Sequence, residues 1–170
     1  MKHMIGDILS PAGTERTVVL NPVGDNGKIV GGLHGDICKK FPFVGDLYQE
    51  FCRKIWSGAH KKGDIQIFGR VQQNFIIVNA AVFGIQPGVV YDIETTRRAI
   101  DALARNFPGY TIRIPHCFDY PKVMPKMVWI SIKNLIESEL VQSANINVEI
   151  WTHNAGMKPR ELNLPAGLEV

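Results

Sequence analysis

The sequence predicts an α/β domain in which helices cover both faces of a sheet. Two observations carry this expectation. Segments with strand-like and helix-like apolar periodicity alternate along the chain. A glycine-rich turn, Gly27-Lys28-Ile29-Val30-Gly31-Gly32-Leu33-His34-Gly35, joins an apolar β-branched run to a helix start. The composition agrees: 170 residues, 45% hydrophobic and 21% charged, suit one globular domain with a proper core.

The elements follow in order. Residues 3–8 read as a short first strand running into a loop, and Thr17-Val18-Val19-Leu20 as a buried strand. After the glycine turn, residues 35–40 suit a short helix that Phe41-Pro42 ends. Leu47, Tyr48, Phe51 and Ile55 share one face of a helix over 46–55. Residues 64–68 and 75–80 read as two strands of a hairpin turning through 69–74. Asp92 or Thr95 opens a helix running to about residue 106, where Phe107-Pro108-Gly109 stops it. Residues 110–115 form another strand and 116–126 a loop. A helix over 128–140 and a last strand over 147–151 follow, and from Thr152 onward no clear element is visible.

Several function classes are disfavoured. The net charge is only +3, and the basic pairs Lys39-Lys40, Lys61-Lys62 and Arg97-Arg98 are scattered, which argues against a nucleic-acid binder. No apolar stretch approaches roughly 18 residues, so no membrane span is expected. No secretion signal is visible, since Asp7 interrupts the first apolar run. Cys38, Cys52 and Cys117 lack metal-ligand spacing; an odd count suggests reduced thiols and a cytoplasmic setting. No metal cluster or cofactor is expected.

In open α/β sheets ligands sit outside the carboxyl ends of the strands. The loops after Leu20, Asn79 and Pro115 are therefore the candidates for a site. The glycine turn lets the backbone approach a ligand, and the N–H groups of the following helix start attract negative charge, which points to a phosphorylated small molecule.

Four segments, taken in order, resemble the macro domain family, which binds ADP-ribose and its derivatives. They are Gly6-Asp7-Ile8; Val18-Val19-Leu20-Asn21 with the turn through Gly31-Gly32-Leu33-His34-Gly35-Asp36-Ile37; Phe75-Ile76-Ile77-Val78-Asn79 followed by Tyr91-Asp92; and Ile112-Arg113-Ile114-Pro115 with Trp129 and residues 132–136. The resemblance covers most of residues 4–151. It implies a three-layer α/β/α domain around a mixed sheet over 1–151, with 152–170 as a C-terminal tail. By the same resemblance Asp7 meets the adenine amino group, with Ile8 beside it. Gly31, Gly32, Leu33 and Gly35 form the first phosphate loop, Cys117 and Phe118 belong to the second, and Asn21 and Asn79 contact the distal ribose.

Two departures stand out. The family's second loop is glycine-rich, whereas His116-Cys117-Phe118-Asp119-Tyr120-Pro121 has no glycine and is slightly longer. His34 stands where many hydrolytic macro domains have an aspartate that orients the attacking water. It is either a surface or phosphate-contacting histidine or a general base, with Asp25, Asp36 and Asp119 as candidate partners. Asp119 is the second catalytic candidate, because some deribosylating relatives place an acid in this loop. Ala80-Ala81 offers no lysine for a covalent mechanism, and adjacency of His116 and Cys117 does not make a nucleophile. Phe83 and Phe118 either pack or stack on the ligand; Trp56, Trp129 and Trp151 read as core.

The expected function is binding of an ADP-ribose-type nucleotide and hydrolysis of an ADP-ribose derivative, by an ADP-ribose 1''-phosphate phosphatase or an ADP-ribosyl hydrolase. The alternatives are a non-catalytic ADP-ribose-binding module, or a degenerate domain that meets a protein partner through the second loop or the tail.

Overall fold

The computed structural model describes residues 1–29, 31–72, 74–84 and 90–163, with backbone alone at 70–72. A seven-stranded mixed sheet is ordered β3-β4-β2-β7-β8-β1-β9. Its strands are β1 (Lys2–Gly6), β2 (Thr17–Val23), β3 (Ile65–Gln72), β4 (Phe75–Ala81), β7 (Thr111–Pro115), β8 (Asn147–His153) and β9 (Arg160–Glu161). The five central strands run parallel, and β3 and β9 close the edges antiparallel. A small ladder pairs β5 (Phe83–Gly84) with β6 (Val90–Tyr91).

Side-chain alternation assigns the layers. Val18, Leu20, Val78, Ala80, Ile112, Ile114, Val148 and Ile150 pack under α3 (Ile93–Asn106) and α4 (Lys126–Ile136). On the other face, Val19, Ile77 and Trp151 meet Leu33 and Ile37 of α1 (Gly32–Lys40). Val23 and Ala81 meet Tyr48, Phe51 and Cys52 of α2 (Pro42–Trp56). Every residue of β2 is buried, as expected for a strand covered on both faces. The layers are α/β/α, as the sequence predicts.

Local signals act where expected. Asp92 caps α3 by accepting from the backbone N–H groups of Glu94 and Thr95. Pro42 opens α2 at its first turn, where its missing N–H costs nothing. The predicted hairpin forms between β3 and β4, but β3 runs on to Gln72 past an irregularity after Phe68, so the turn is shorter than the expected 69–74; its position 73 lies outside the described residues. Residue 30 of the glycine turn lies outside them too. Among the described residues no helix is long and apolar enough to cross a membrane.

Three expectations are corrected. Helix α1 begins at Gly32 rather than Gly35, so His34 sits in its first turn. Trp56 is 63% exposed: it is the last residue of α2, beyond the part that packs on the sheet, whereas Trp129 and Trp151 are buried. The segment from Thr152 is not structureless. Strand β8 runs on to His153, and β9 pairs with β1, because the chain folds back along the open sheet edge.

Candidate functional site

The first half of the site is the start of α1. Gly31 is the N-cap residue and supplies no side-chain cap; Gly32 follows with φ 68°, a conformation that favours glycine. The orphan N–H of Leu33 finds its partner far along the chain, donating to Asp119 Oδ2 at 2.6 Å. A Cβ at Gly32 would collide with that carboxylate. Burial raises the Asp119 pKa, with Asp36 adding to the effect, while the Leu33 N–H and His153 oppose it.

Asp119 ends a 3-10 turn, His116–Asp119, that follows β7. The stretch His116-Cys117-Phe118-Asp119-Tyr120-Pro121 has no glycine to ease a left-handed turn. The backbone enters the left-handed region without one: φ is 50° at Cys117, 49° at Phe118 and 70° at Asp119. Each such residue costs roughly 1–2 kcal/mol. Burial of Phe118 against Trp129, at 5.8 Å between rings, offsets part of this. Phe83 and Phe118 are both buried in the layer under α3 and α4. Burial also raises the Cys117 thiol pKa, which disfavours a thiolate there.

The second half is a hydrogen-bond chain on the α1 side of the sheet. Asn21 and Asn79 are register partners on β2 and β4, and Asn21 Nδ2 donates to Asn79 Oδ1 at 2.8 Å. The same amide lies 2.9 Å from His34 Nδ1, and Asn79 Nδ2 continues to Gln66 Oε1 at 3.2 Å. An amide nitrogen only donates, so Nδ1 is the acceptor and the His34 proton resides on Nε2. His34 is 6% exposed and lies edge-on to Tyr48 at 4.7 Å; burial lowers its pKa to about 4. It is therefore neutral at pH 7. Two buried polar atoms here, His34 Nε2 and Asn21 Oδ1, have no hydrogen-bond partner.

The third element is the loop after β1. Asp7 Oδ1 accepts from Leu9 N–H and Oδ2 from Gly156 N–H, each at 2.9 Å. Ile8 N–H donates to His153 Nδ1 at 3.2 Å, which leaves the His153 proton on Nε2, 2.8 Å from Asp36 Oδ2. His153 thus ties the Asp7 loop to α1. Arg113 holds the loop from below, donating from Nη1 to the carbonyls of Ile8 at 2.9 Å and Ser10 at 2.7 Å. Gly6, with φ 143°, is packed so closely that a Cβ would stand 2.7 Å from Pro159 Cα.

The structure thus gathers Asp7, Ile8, Asn21, Gly32, Leu33, His34, Asn79 and Asp119 around one end of the sheet. Gly31 and Gly35 line a surface cavity of about 420 Å³ with Gly32, Asp36 and Cys38. Neither His153 nor Arg113 stands out as a site residue in the sequence. Alternation breaks at the adjacent apolar pair Ile150-Trp151, so no periodic signal extends β8 to His153.

No family model matches the sequence, and no curated protein does. Solved structures do. A macrodomain protein from Streptomyces coelicolor superposes with a TM-score of 0.72 at 14% identity, over 90% of this chain and all of that one. The macrodomain of Thermus aquaticus DarG gives 0.60 at 17% identity, over 88% and 98%. The fold is that of the macrodomains. Thermosipho africanus DarTG, solved in complex with ADP-ribose, gives 0.58 at 13% identity, over 82% of this chain and 38% of that one.

At this end of the sheet two backbone amides are engaged by the chain's own side chains: Leu33 N–H by Asp119 and Ile8 N–H by His153. A second cavity, about 460 Å³ between Tyr91, Ile93, Met127 and Ile132, lies on the opposite, α3/α4 face.

Proposed function

We propose that this macrodomain-fold chain binds an ADP-ribose-type nucleotide across the carboxyl ends of its parallel strands. The observation that carries the reading is the α1 N-terminus. It is reached through glycines and lacks a cap from its own segment, and its Leu33 N–H already holds a carboxylate oxygen, the oxyanion chemistry that a phosphate offers. Adenine is assigned to Asp7 and Ile8, the diphosphate to residues 31–35 and the distal ribose to the Asn21, Asn79 and His34 end. The ADP-ribose complex of Thermosipho africanus DarTG supports the ligand class. Calorimetric titration tests this: ADP-ribose is expected to bind at least tenfold tighter than AMP, and equal or absent binding of the two removes the reading.

Hydrolysis of an ADP-ribose derivative is the second reading, and Asp119 favours it. Burial raises its pKa, which makes this carboxylate a stronger base than an exposed aspartate, available to a water once a ligand phosphate has taken Leu33 N–H. His34 is a weak base, because its Nδ1 is taken and its pKa is about 4; it serves as a neutral Nε2–H donor to a ligand oxygen. Asp119→Asn is then expected to slow phosphate release from ADP-ribose 1''-phosphate by about a hundredfold or more. A parent protein without turnover leaves a binding module.

A further inference from the structure

We infer that Asp119 is a specificity-determining internal competitor: its carboxylate holds the place at Leu33 N–H and Gly32 that a ligand phosphate takes, and a diphosphate binds by displacing it. This rests on the nucleotide reading above. Three observations lead here. The carboxylate sits on the helix-start amide at 2.6 Å, and the absent Cβ of Gly32 is what lets it approach. It therefore uses the same donor, and the same glycine-opened space, that an incoming phosphate oxygen needs.

The second observation is electrostatic. Asp36 on α1 raises the Asp119 pKa while His153, whose Nε2 lies 2.8 Å from Asp36 Oδ2, lowers it, so a phosphate entering with Asp119 in place meets that carboxylate at the one amide it needs. Simple co-occupancy is disfavoured and exchange is favoured.

The third observation points to a ligand rather than to a purely structural contact. One residue along α1 from Leu33, His34 Nε2 is buried without a partner, as is Asn21 Oδ1 at the adjoining strand position. They form an unspent donor and acceptor, which suits a sugar hydroxyl and not a carboxylate side chain. Asp119 thus satisfies only the phosphate end of the site.

The consequence is selectivity. A bare diphosphate must displace Asp119 with its charge alone, whereas a nucleoside diphosphate adds base and ribose contacts to drive the exchange. The parent protein is therefore expected to reject inorganic pyrophosphate and accept the nucleotide.

The test is calorimetric titration of the parent, Asp119→Ala and Asp119→Asn proteins with inorganic pyrophosphate and with ADP-ribose. Asp119→Ala is expected to bind pyrophosphate at least tenfold tighter than the parent. Asp119→Asn keeps the shape and an acceptor for Leu33 N–H, so it folds even where alanine does not; its expected gain is about threefold. Pyrophosphate affinity no higher than the parent's in a folded variant overturns the inference. A pyrophosphate gain with no preference for ADP-ribose upholds Asp119 as competitor and removes the nucleotide reading. Tight ADP-ribose binding with no variant gain on either probe does the reverse.

Discussion

Arg113→Ala is expected to destabilise the fold by about 3–5 kcal/mol, the range for breaking a buried charge pair. Arg113 lies on the central strand β7 and is 6% exposed. Its guanidinium is 4.7 Å from the Trp151 ring and 5.7 Å from that of Phe75, with Glu149 Oε1 3.7 Å from Nε. Removing it leaves Glu149 without its cation and the Ile8 and Ser10 carbonyls without their shared donor. Such unmet buried groups cost more than the intact network contributes, so Arg113→Met with Glu149→Gln, which removes the unpaired charge and keeps an acceptor for Trp151 Nε1, should recover part of the loss, the Ile8 and Ser10 carbonyls staying unmet. Urea denaturation followed by circular dichroism measures both. A loss below about 1 kcal/mol for the single variant would show that water or repacking replaces the guanidinium. Because Arg113 also holds the Asp7 loop, where adenine is proposed to sit, the variant should weaken ADP-ribose binding as well.

The second large effect is acid sensitivity set by His34. Its pKa falls to about 4 in the native state, against roughly 6.5 unfolded. Above that unfolded value neither state binds the proton, and His34 adds no pH dependence. Between the two values the unfolded chain takes a proton that the native state refuses, so stability falls as pH falls. The total loss is roughly 3 kcal/mol, complete once the pH drops below the native value. His34→Gln keeps a polar partner for Asn21 and removes the titration. Its unfolding free energy should therefore fall less between pH 7.5 and 4.5 than the parent's. Carboxylates titrate in both proteins and cancel in the comparison. Identical slopes would mean that the imidazole takes up its proton in the native state as easily as in water.

Much of the fold is legible in the residues. The β-branched run at Thr17-Val18-Val19-Leu20, the alternating segments around 65–68 and 75–80 and the capping Asp92 announce their elements because each signal is local. The α1 boundary is less legible. Three glycines in a row of five look like a turn, and only packing of Leu33 and Ile37 beneath the sheet draws Gly32 and His34 into the helix. Trp56 is misread for a related reason: residue type predicts burial only where the element still touches the core.

By itself, the sequence determined the alternating α/β order, the glycine-opened helix start and the placing of candidate residues at the carboxyl ends of strands. Only the tertiary structure decided what those residues touch. Asp119 reaches Leu33 across 86 residues, and His153 reaches Asp36 across 117. Asn21 meets Asn79 through parallel register. Periodicity and turn chemistry describe neighbours along the chain, while these contacts arise from strand order, register and the path of two loops over one sheet end. The same reason separates the two candidate acid–base residues: burial beside Tyr48 makes His34 a neutral donor, and a left-handed turn sets the Asp119 carboxylate on the helix-start amide.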